Sequence, residues 1–503
     1  MSEQKTIEYT NEQKAIFHAM ALGNCNLTIE AVAGSGKTET SLQGVYKSPA
    51  FKTRKPVLIG SFMKRNQLDA QRRIQTTAAH VEAATWNSIG LRFVRANLPR
   101  IKVNFGCEWN RLKIISPELF EKAAYLAFQV IRAVELSKGM KIGVPTMEEM
   151  VKFFDLVGVA PNDKDQANWP TDKLAEIARG MIQYSLDCPV ECSGADMNWL
   201  PITKGWIKPS YSLIVADEYQ DTNVLQDELL AQLIFPGGSI VCVGDTFQSL
   251  YSWRGSIDNA MEHAATRYGA KKLSLTNSFR CPHSVASLAQ AYVPHFRSHA
   301  GNIAGEVKPM IAEEMVVAAK VGDVILSRTN APLMHYALKL IRANKPAKIE
   351  GKEVGAELRN IIETVADGTN ELAVFEDKLA IWETVSIGKI SPNSFTATER
   401  IARIQDIGAT IRALSETVPS VDGMKGKLFN LFQNSDDAGN RPCVLCSTVH
   451  KAKGLEWPAV FQLVETFGKA RATASERQIQ EEKNISYVAV TRTKNQLFQV
   501  REK

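Results

Sequence analysis

The stretch TIEAVAGSGKTETSL, residues 28–42, constrains the fold of this chain more than any other. Its apolar start predicts a buried strand, its middle is a loop of small residues, and its end predicts a helix. In the loop, residues 34–36 let successive backbone N–H groups converge on one anion, and the start of the helix adds a positive dipole end. The segment therefore predicts a phosphate-binding loop, with Lys37 reaching the outer phosphates and Thr38 the magnesium ion.

A second motif, YSLIVADEYQD at residues 211–221, is an apolar strand that runs directly into two acids, Asp217 and Glu218. Nucleoside triphosphatases need a carboxylate on the far side of the metal and a group that orients the attacking water. Asp217 is predicted to bind magnesium through water, and Glu218 to orient or deprotonate the attacking water. An ordinary capped turn after a strand is the alternative. Together with the phosphate loop, the motif indicates a nucleoside triphosphatase.

The spacing of these motifs bounds the architecture. The 503 residues suggest two to four domains of about 100 to 200 residues each. Lys37 and Asp217 lie 180 positions apart, so a sizeable segment is inserted between the strands that carry them. This distance argues against a small kinase.

Composition excludes some classes of protein and leaves others open. With 45% hydrophobic and 23% charged residues, no tract is apolar enough to span a bilayer, and the N-terminus lacks a secretory layout. We expect a soluble protein of a bacterial cytoplasm or a virus-infected host cell. The net charge of +6 permits a nucleic-acid partner without favouring one. The eight cysteines indicate reduced thiols, and the pairs CPVEC and PCVLC lack a clear second pair for a metal site.

Four further blocks follow the two motifs along the chain: VCVGDTFQSLYSWRG, LSLTNSFRC, VLCSTVHKAKGLEW and ISYVAVTRTKNQL. With these blocks in this order, the chain resembles the UvrD/Rep-type superfamily 1 (1A) DNA helicases at both ends and in the middle. The segment VLIGSFMKRNQLDAQRRI is similar to the first DNA-contacting block of the family, although Met63 and Lys64 replace its usual Thr and Asn. In ATWNSIGLRFV, Trp86 and Asn87 stand for the more usual Phe and His.

The resemblance implies an α/β fold with two RecA-like P-loop NTPase domains, each a parallel doubly wound sheet, and mostly helical insertions. Two sets of apolar runs predict the strands: 26–32, 56–62, 212–218, 239–245 and 271–276 for the first sheet, and 323–329, 442–448, 457–464 and 496–500 for the second. The predicted domains are 1–96 with 209–280 (1A), 97–208 (1B), 281–343 with 441–503 (2A), and 344–440 (2B), which is shorter than usual for the family.

The resemblance also implies ATP and Mg²⁺ as cofactors, together with a set of residues. The implied nucleotide-binding residues are Gln13, Ala33, Gly34, Ser35, Gly36, Lys37, Thr38, Gly454 and Glu456. The implied catalytic residues are Lys37, Asp217, Glu218, Gln248, Arg280 and Arg492, with Thr38 and Asp217 at the metal. Gln13 would read adenine, Gln248 would sense the terminal phosphate, and Glu456 would accept a hydrogen bond from the ribose. Arg280 and Arg492 would reach the γ-phosphate as arginine fingers within one chain.

The implied DNA-binding residues are Ser61, Phe62, Trp86, Tyr251, Trp253, Arg254, Thr448 and His450. Trp253 would stack on a base, an interaction of roughly 1 to 3 kcal/mol that tolerates any sequence. Without the resemblance, a Trp two residues after a Tyr on a strand is equally well explained as a core residue. His450 could likewise be an interior histidine with its hydrogen bonds satisfied.

These residues come from both predicted sheets, so the resemblance implies a catalytic set that is complete only when a cleft closes around ATP. We expect a DNA helicase that moves 3′ to 5′ along single-stranded DNA and acts at junctions with duplex. Replication or repair proteins are candidate partners, no membrane is involved, and we expect a monomer in solution.

Three functions are alternatives to a helicase. One is a translocase that strips proteins from single strands and unwinds little, and another is an ATP-switched DNA-binding regulator. The complete hydrolytic set argues against the regulator, since a switch has little need of it. A helicase–nuclease would need a further domain, for which the eleven residues after Arg492 leave no room.

Overall fold

The computed structural model describes residues 8–23, 25–74, 78–159, 161, 166–250, 255–388, 390, 397–433, 442–468 and 476–502. The chain divides into two compact units, Met1–Thr276 and Asn277–Lys503. This division places Arg280 in the second unit, whereas the predicted domain boundary placed it at the end of the first. None of the described helices is long and apolar enough to cross a membrane.

The first unit is built on one parallel sheet. Its strands are β1 Leu27–Ala31, β2 Val57–Ser61, β3 Val81–Thr85, β4 Lys102–Val103, β5 Glu191–Cys192, β6 Tyr211–Asp217, β7 Ile234–Gly244 and β8 Lys271–Leu275. Six of them form the sheet, in the order β3-β2-β6-β7-β1-β8, and β4 pairs with β5 apart from it. Five of the six sheet strands lie where apolar runs predict them, and β3 was missed.

Helices cover this sheet and fill the long segment between β3 and β6. They are α1 Asn11–Leu22, α2 Lys37–Lys47, α3 Pro49–Lys52, α4 Lys64–Arg73, α5 Trp86–Asn97, α6 Cys107–Ile115, α7 Pro117–Lys122, α8 Ala124–Met140, α9 Met147–Val157, α10 Thr171–Asp187, α11 Asp196–Thr203, α12 Val224–Leu233 and α13 Ala260–Arg267. Apolar side chains of α8 and α10, such as Ile131 and Met181, belong to the same core as Ile214 of β6. The helical segment is therefore packed onto the sheet through shared apolar burial.

The second unit repeats the plan with a larger sheet. Its strands are β9 Asn277–Ser278, β10 Arg297–Ser298, β11 Glu306–Ile311, β12 Val324–Ser327, β13 Ala347–Glu350, β14 Phe432–Gln433, β15 Val444–Thr448, β16 Trp457–Leu463 and β17 Thr493–Arg501. Seven run parallel in the order β11-β17-β16-β12-β15-β13-β14. The four predicted strands are β12, β15, β16 and β17, whereas β11, β13 and β14 were missed.

The helices of the second unit are α14 His283–Ala289, α15 Ala312–Ala318, α16 Asn330–Arg342, α17 Lys352–Ala366, α18 Leu372–Gly388, α19 Ala397–Ser415, α20 Val421–Leu431, α21 Val449–Ala452 and α22 Glu476–Val490. Residues of α17 to α20, among them Phe375 and Leu414, share one core with Ile349 of β13. Two parallel sheets, each covered by helices, confirm the predicted α/β class with two RecA-like domains. All eight cysteines are free thiols.

Candidate nucleotide-binding site

The phosphate loop joins β1 to α2 through backbone that only glycine adopts without strain. Gly34 has φ 75° and Gly36 has φ 76°, both in the left-handed region. Gly36 is also the N-cap of α2, and as a glycine it has no side chain with which to cap that end of the helix. Its first N–H groups therefore point toward a position where an anion is favoured.

Ser35 lies between these glycines and tests whether the loop fits a phosphate. The residue is 1% exposed, and within the described part of the chain its hydroxyl has no hydrogen-bond partner. A buried hydroxyl without a partner destabilises the fold by roughly 1 to 3 kcal/mol. A phosphate oxygen placed in the loop would accept from this hydroxyl, so the loop fits the group that the sequence predicts.

Lys37 and Glu218 face each other beside the loop. Lys37 Nζ lies 3.6 Å from Glu218 Oε1, and both side chains keep some access to solvent. The other carboxylate oxygen, Oε2, accepts a hydrogen bond of 2.5 Å from Gln220 Nε2. Glu218 itself has φ 53°, an uncommon value for a residue with a Cβ. Such backbone strain is typical of functional positions that their surroundings hold in place.

Asp217 and Thr38 line one small cavity. Burial above all, and then the neighbouring Glu218, raise the pKa of Asp217 well above its ordinary value. Two adjacent carboxylates and a threonine hydroxyl are hard oxygen ligands, which Mg²⁺ prefers. Thr38 and Asp217 are therefore suited to hold the predicted metal, because its charge would offset the repulsion between the acids.

Gln248 is connected to Glu218 through two intermediate residues. Its Nε2 donates to Asp245 Oδ2 at 2.6 Å, and the backbone N–H of Asp245 donates to Gln220 Oε1 at 3.0 Å. Gln220 therefore joins the candidate base to the turn that carries Gln248. No site role was predicted for Gln220 or Asp245, although both lie inside the quoted motifs, two residues after Glu218 and three before Gln248.

Gln13, the predicted reader of adenine, is buried and already engaged. Its Oε1 accepts from the backbone N–H of Thr10 at 3.0 Å, which closes a capping box at the start of α1. Its Nε2 donates to Thr40 Oγ1 on α2 at 3.0 Å. The side chain thus ties α1 to the helix that follows the phosphate loop. Its contact with adenine stays a prediction.

In the second unit, Arg280 and Glu456 form an ion pair. Arg280 Nε lies 2.5 Å from Glu456 Oε2, and Lys494 Nζ lies 2.5 Å from Glu456 Oε1. Although burial opposes it, Arg280 and Lys494 hold the pKa of Glu456 below its ordinary value. A ribose hydroxyl would have to share Glu456 with these two cations.

Arg492 is almost completely buried within the second unit. Its guanidinium donates to the carbonyl oxygens of Val488 at 3.0 Å and Leu455 at 3.2 Å. The turn before Leu455 contains Gly454, which has φ 82° and open space around its Cα. These contacts fix Arg492 against the segment that is predicted to approach the nucleotide.

Two of the predicted DNA contacts, Trp86 and Ser61, are buried side chains, and their contact with DNA stays a prediction. Trp86 is 2% exposed, and its ring packs so closely on Gly60 of β2 that a Cβ there would lie 2.2 Å from it. Ser61 is also 2% exposed, and its hydroxyl donates to the carbonyl of Met63. Both side chains are therefore enclosed by the first unit. Phe62, between them in the motif order, is partly exposed and stays a candidate.

The remaining predicted DNA contacts are not tested. Tyr251, Trp253 and Arg254 lie outside the described residues. Thr448 is the last residue of β15 and is buried, and His450 is partly buried in α21. The candidate site of the first unit therefore consists of the phosphate loop, the acid pair and the turn with Gln248.

Comparison with known proteins gives a consistent result. The family model of the UvrD-like helicase C-terminal domain matches residues 53–501. A probable DNA helicase II homolog of Rickettsia felis is 20% identical, over 97% of this chain and 91% of that protein. F-box DNA helicase protein 1 of Schizosaccharomyces pombe is 24% identical, over 99% of this chain and 58% of that protein. DNA helicase II of Haemophilus influenzae is 23% identical, over 56% of this chain and 54% of that protein.

Proposed function

Because this chain belongs to the UvrD-like helicase family, we propose that it is an ATP-dependent DNA helicase that moves along single-stranded DNA. The observation that carries the proposal is the pairing of Lys37 with Glu218 at 3.6 Å, beside a glycine loop with the buried hydroxyl of Ser35. A cation for phosphate and a carboxylate for water within one small site suit the hydrolysis of a nucleoside triphosphate.

Each site residue of the first unit has a proposed chemical role. Backbone N–H groups of the loop and the Ser35 hydroxyl bind phosphate oxygens, and Lys37 binds the outer phosphates. Thr38 and Asp217 hold Mg²⁺, which neutralises charge on the phosphates when it is bound. Glu218 accepts the proton of the attacking water, and Gln220 keeps its carboxylate in the required orientation.

The arginines of the second unit act on the transferred phosphate. Arg280 and Arg492 stabilise the negative charge that develops on the γ-phosphate. Arg280 is held by Glu456 and Arg492 by backbone carbonyls, so both are oriented before nucleotide binds. Cycles of binding and hydrolysis then change the grip on a single strand, with Trp253 as the stacking residue, and drive movement 3′ to 5′.

The test of the hydrolytic site is DNA-stimulated ATP hydrolysis by Lys37→Ala and Glu218→Gln. Both substitutions should abolish turnover, and the Gln variant should still bind ATP, because it retains the phosphate loop. Lys47→Ala, at the other end of α2, is a matched control that should retain normal turnover. Normal turnover in either site variant would refute the proposed site.

Direction and unwinding are tested with duplexes that carry only a 3′ or only a 5′ single-stranded tail. Unwinding of the 3′-tailed duplex, dependent on ATP, is expected. Preference for the 5′ tail would refute the direction. ATP hydrolysis and displacement of a bound protein without strand separation would instead identify a translocase.

A further inference from the structure

Glu30 is a partly buried acid on the strand that leads into the phosphate loop. It lies on β1, paired in register with Gly244 of β7 and with Ser274 of β8. Its neighbours in the strand, Ile29 and Ala31, are fully buried. Taking a carboxylate out of water costs free energy unless hydrogen bonds or charges compensate. Glu30 therefore needs partners, and its position is four residues before the first glycine of the phosphate loop.

Both carboxylate oxygens of Glu30 contact one residue, Thr246. Oε1 accepts from the backbone N–H of Thr246 at 2.7 Å, and Oε2 accepts from its hydroxyl at 2.8 Å. Thr246 begins the short 3₁₀ turn that ends at Gln248. Asp245, the residue directly before this turn, accepts hydrogen bonds from the N–H of Phe247 at 3.1 Å and from the side chain of Gln248. The carboxylates of Glu30 and Asp245 therefore both hold the turn in place.

We infer that Glu30 is a positioning residue, which fixes Gln248 relative to the phosphate loop by anchoring Thr246 to β1. The inference rests on the proposed function, because it concerns the same ATP site. Glu30 sits on the strand that leads into the loop, so any displacement of the turn from that strand changes the distance from Gln248 to the bound phosphates. Lys37 attracts and Asp245 repels the Glu30 carboxylate, which places its charge within the electrostatics of the site.

The segment after Thr246 gives the anchor a second consequence. The same stretch continues to Tyr251 and Trp253, the residues predicted to hold DNA. The anchor holds the start of this segment, at Thr246, in place relative to β1, whereas its loss leaves that start free to shift. Loss of the anchor should therefore lower the stimulation of hydrolysis by single-stranded DNA more than it lowers ATP binding.

The experiment compares Glu30→Leu, Glu30→Gln, Thr246→Val and Thr246→Ser in the full chain. Steady-state ATP hydrolysis is measured with and without saturating oligo-dT. Glu30→Leu should lower kcat with DNA about tenfold and leave KM for ATP within about threefold, because a shift of about 1 Å in a positioned group can cost a hundredfold in rate. Glu30→Gln should recover most of the rate, since its amide can accept from the Thr246 N–H and donate to the hydroxyl.

A measurement without nucleotide reads the anchor directly. Amide hydrogen exchange of residues 245–249 should become faster in Glu30→Leu and Thr246→Val than in wild type. Peptides from α2 should be unchanged, and Thr246→Ser, which retains the hydroxyl, should exchange like wild type. If Glu30→Leu does not fold, Thr246→Val against Thr246→Ser carries the comparison.

Two outcomes overturn the inference. One is unchanged exchange of residues 245–249 in both disruptive variants. The other is faster exchange or a lower Tm with kcat equal to wild type, which would show a structural role alone. Failure of the proposed function is separate, because it would appear as an absence of ATP hydrolysis by wild type or as normal turnover in Lys37→Ala.

Discussion

Two groups of buried acids in the first unit differ in how their charge is balanced. In the helical segment, Glu108 and Asp196 meet two cations, and Lys138 Nζ lies 2.8 Å from one carboxylate and 2.7 Å from the other. Arg111 also lies 2.7 Å from both. At the phosphate loop, Asp217 and Glu218 share Lys37, which lies 3.6 Å from the nearer oxygen of Glu218. We call the first group the paired cluster and the second the acid pair.

The pKa values follow this difference. Although burial opposes it, Lys138 and Arg111 hold the pKa of Asp196 far below its ordinary value. Burial and the adjacent Glu218 raise the pKa of Asp217. A buried carboxylate whose charge is balanced by cations of the protein is typical of a structural ion pair. One whose charge is not balanced in this way is suited to bind a cation from solution.

Ligand spacing alone would have misassigned the paired cluster. Ligand atoms of Cys107, Glu108 and Asp196 all lie within 4.8 Å of one another, close enough to hold a metal ion. Their negative charge is already matched by Lys138 and Arg111, so a divalent cation would meet repulsion from two buried cations. Charge balance therefore separates the candidate metal site at Asp217 from a similar group of acids that has no such task.

The largest effect is expected at the paired cluster. Asp196→Asn should lower the free energy of unfolding by about 3 to 5 kcal/mol, because it leaves Arg111 and Lys138 with Glu108 as their shared acid. Urea unfolding followed by circular dichroism measures this loss. Glu148→Gln removes a solvent-exposed pair with Lys152 and is the control, with no measurable change expected. Equal effects of the two substitutions would contradict the distinction between a buried and an exposed pair.

Replacing the aspartate of the acid pair by asparagine should change the free energy of unfolding in the opposite direction. Asp217→Asn removes a buried charge that lacks a sufficient partner, so it should raise the free energy of unfolding of the nucleotide-free protein by about 1 kcal/mol. ATP hydrolysis should be lost at the same time. Urea unfolding without magnesium is the measurement. A loss of stability as large as that of Asp196→Asn would show that Asp217 is structurally paired after all.

The pH dependence should differ between the two acids. The pKa of Asp217 is raised on folding, so its ionisation destabilises the folded state as pH rises above about 4 and through the raised pKa. The stability difference between wild type and Asp217→Asn should therefore be larger at about pH 8 than at about pH 5. The pKa of Asp196 is lowered on folding. Its contribution to the free energy of unfolding should therefore be constant between about pH 5 and pH 8 and disappear only below about pH 4. Parallel pH profiles for both variants would contradict this.

Local motifs predicted much of the fold and of the first-unit site. The glycine loop, the acids after β6 and the order of the blocks depend on short-range geometry, which a sequence carries directly. Strand β3, with the sequence VEAAT, was missed because its alanines and Glu82 give a weak strand signal. Pairing with β2 and the contacts of Glu82 with Arg92 and Tyr211 stabilise it, and Tyr211 is 129 residues away in sequence.

Long-range packing explains why the burial of Trp86 was not predicted. Trp86 occupies a motif position associated with DNA, yet the absence of a side chain at Gly60, 26 residues earlier, opens the space in which its ring is buried. The hydrogen bonds that anchor Thr246 come from Glu30, which is 216 residues away. Neither relation leaves a periodic or compositional trace, so the sequence did not predict the contact of Trp86 with Gly60 or that of Thr246 with Glu30.

An effect as small as that of Asp217→Asn is expected at a third buried acid, Asp227, whose charge is balanced like that of the paired cluster. Asp227 Oδ2 lies 2.6 Å from Arg267 and 2.8 Å from His263, and Oδ1 accepts from the hydroxyl of Tyr219 at 2.6 Å. Tyr219→Phe removes that one hydrogen bond and should lower the free energy of unfolding by about 1 kcal/mol, because the ion pair with Arg267 remains. Urea unfolding of Tyr219→Phe beside Arg267→Met, which should lose more, is the measurement. If the phenylalanine variant lost as much as the methionine variant, the tyrosine hydroxyl and not the cation would hold the acid, and balance by opposite charge would no longer distinguish structural acids from the pair at the phosphate loop.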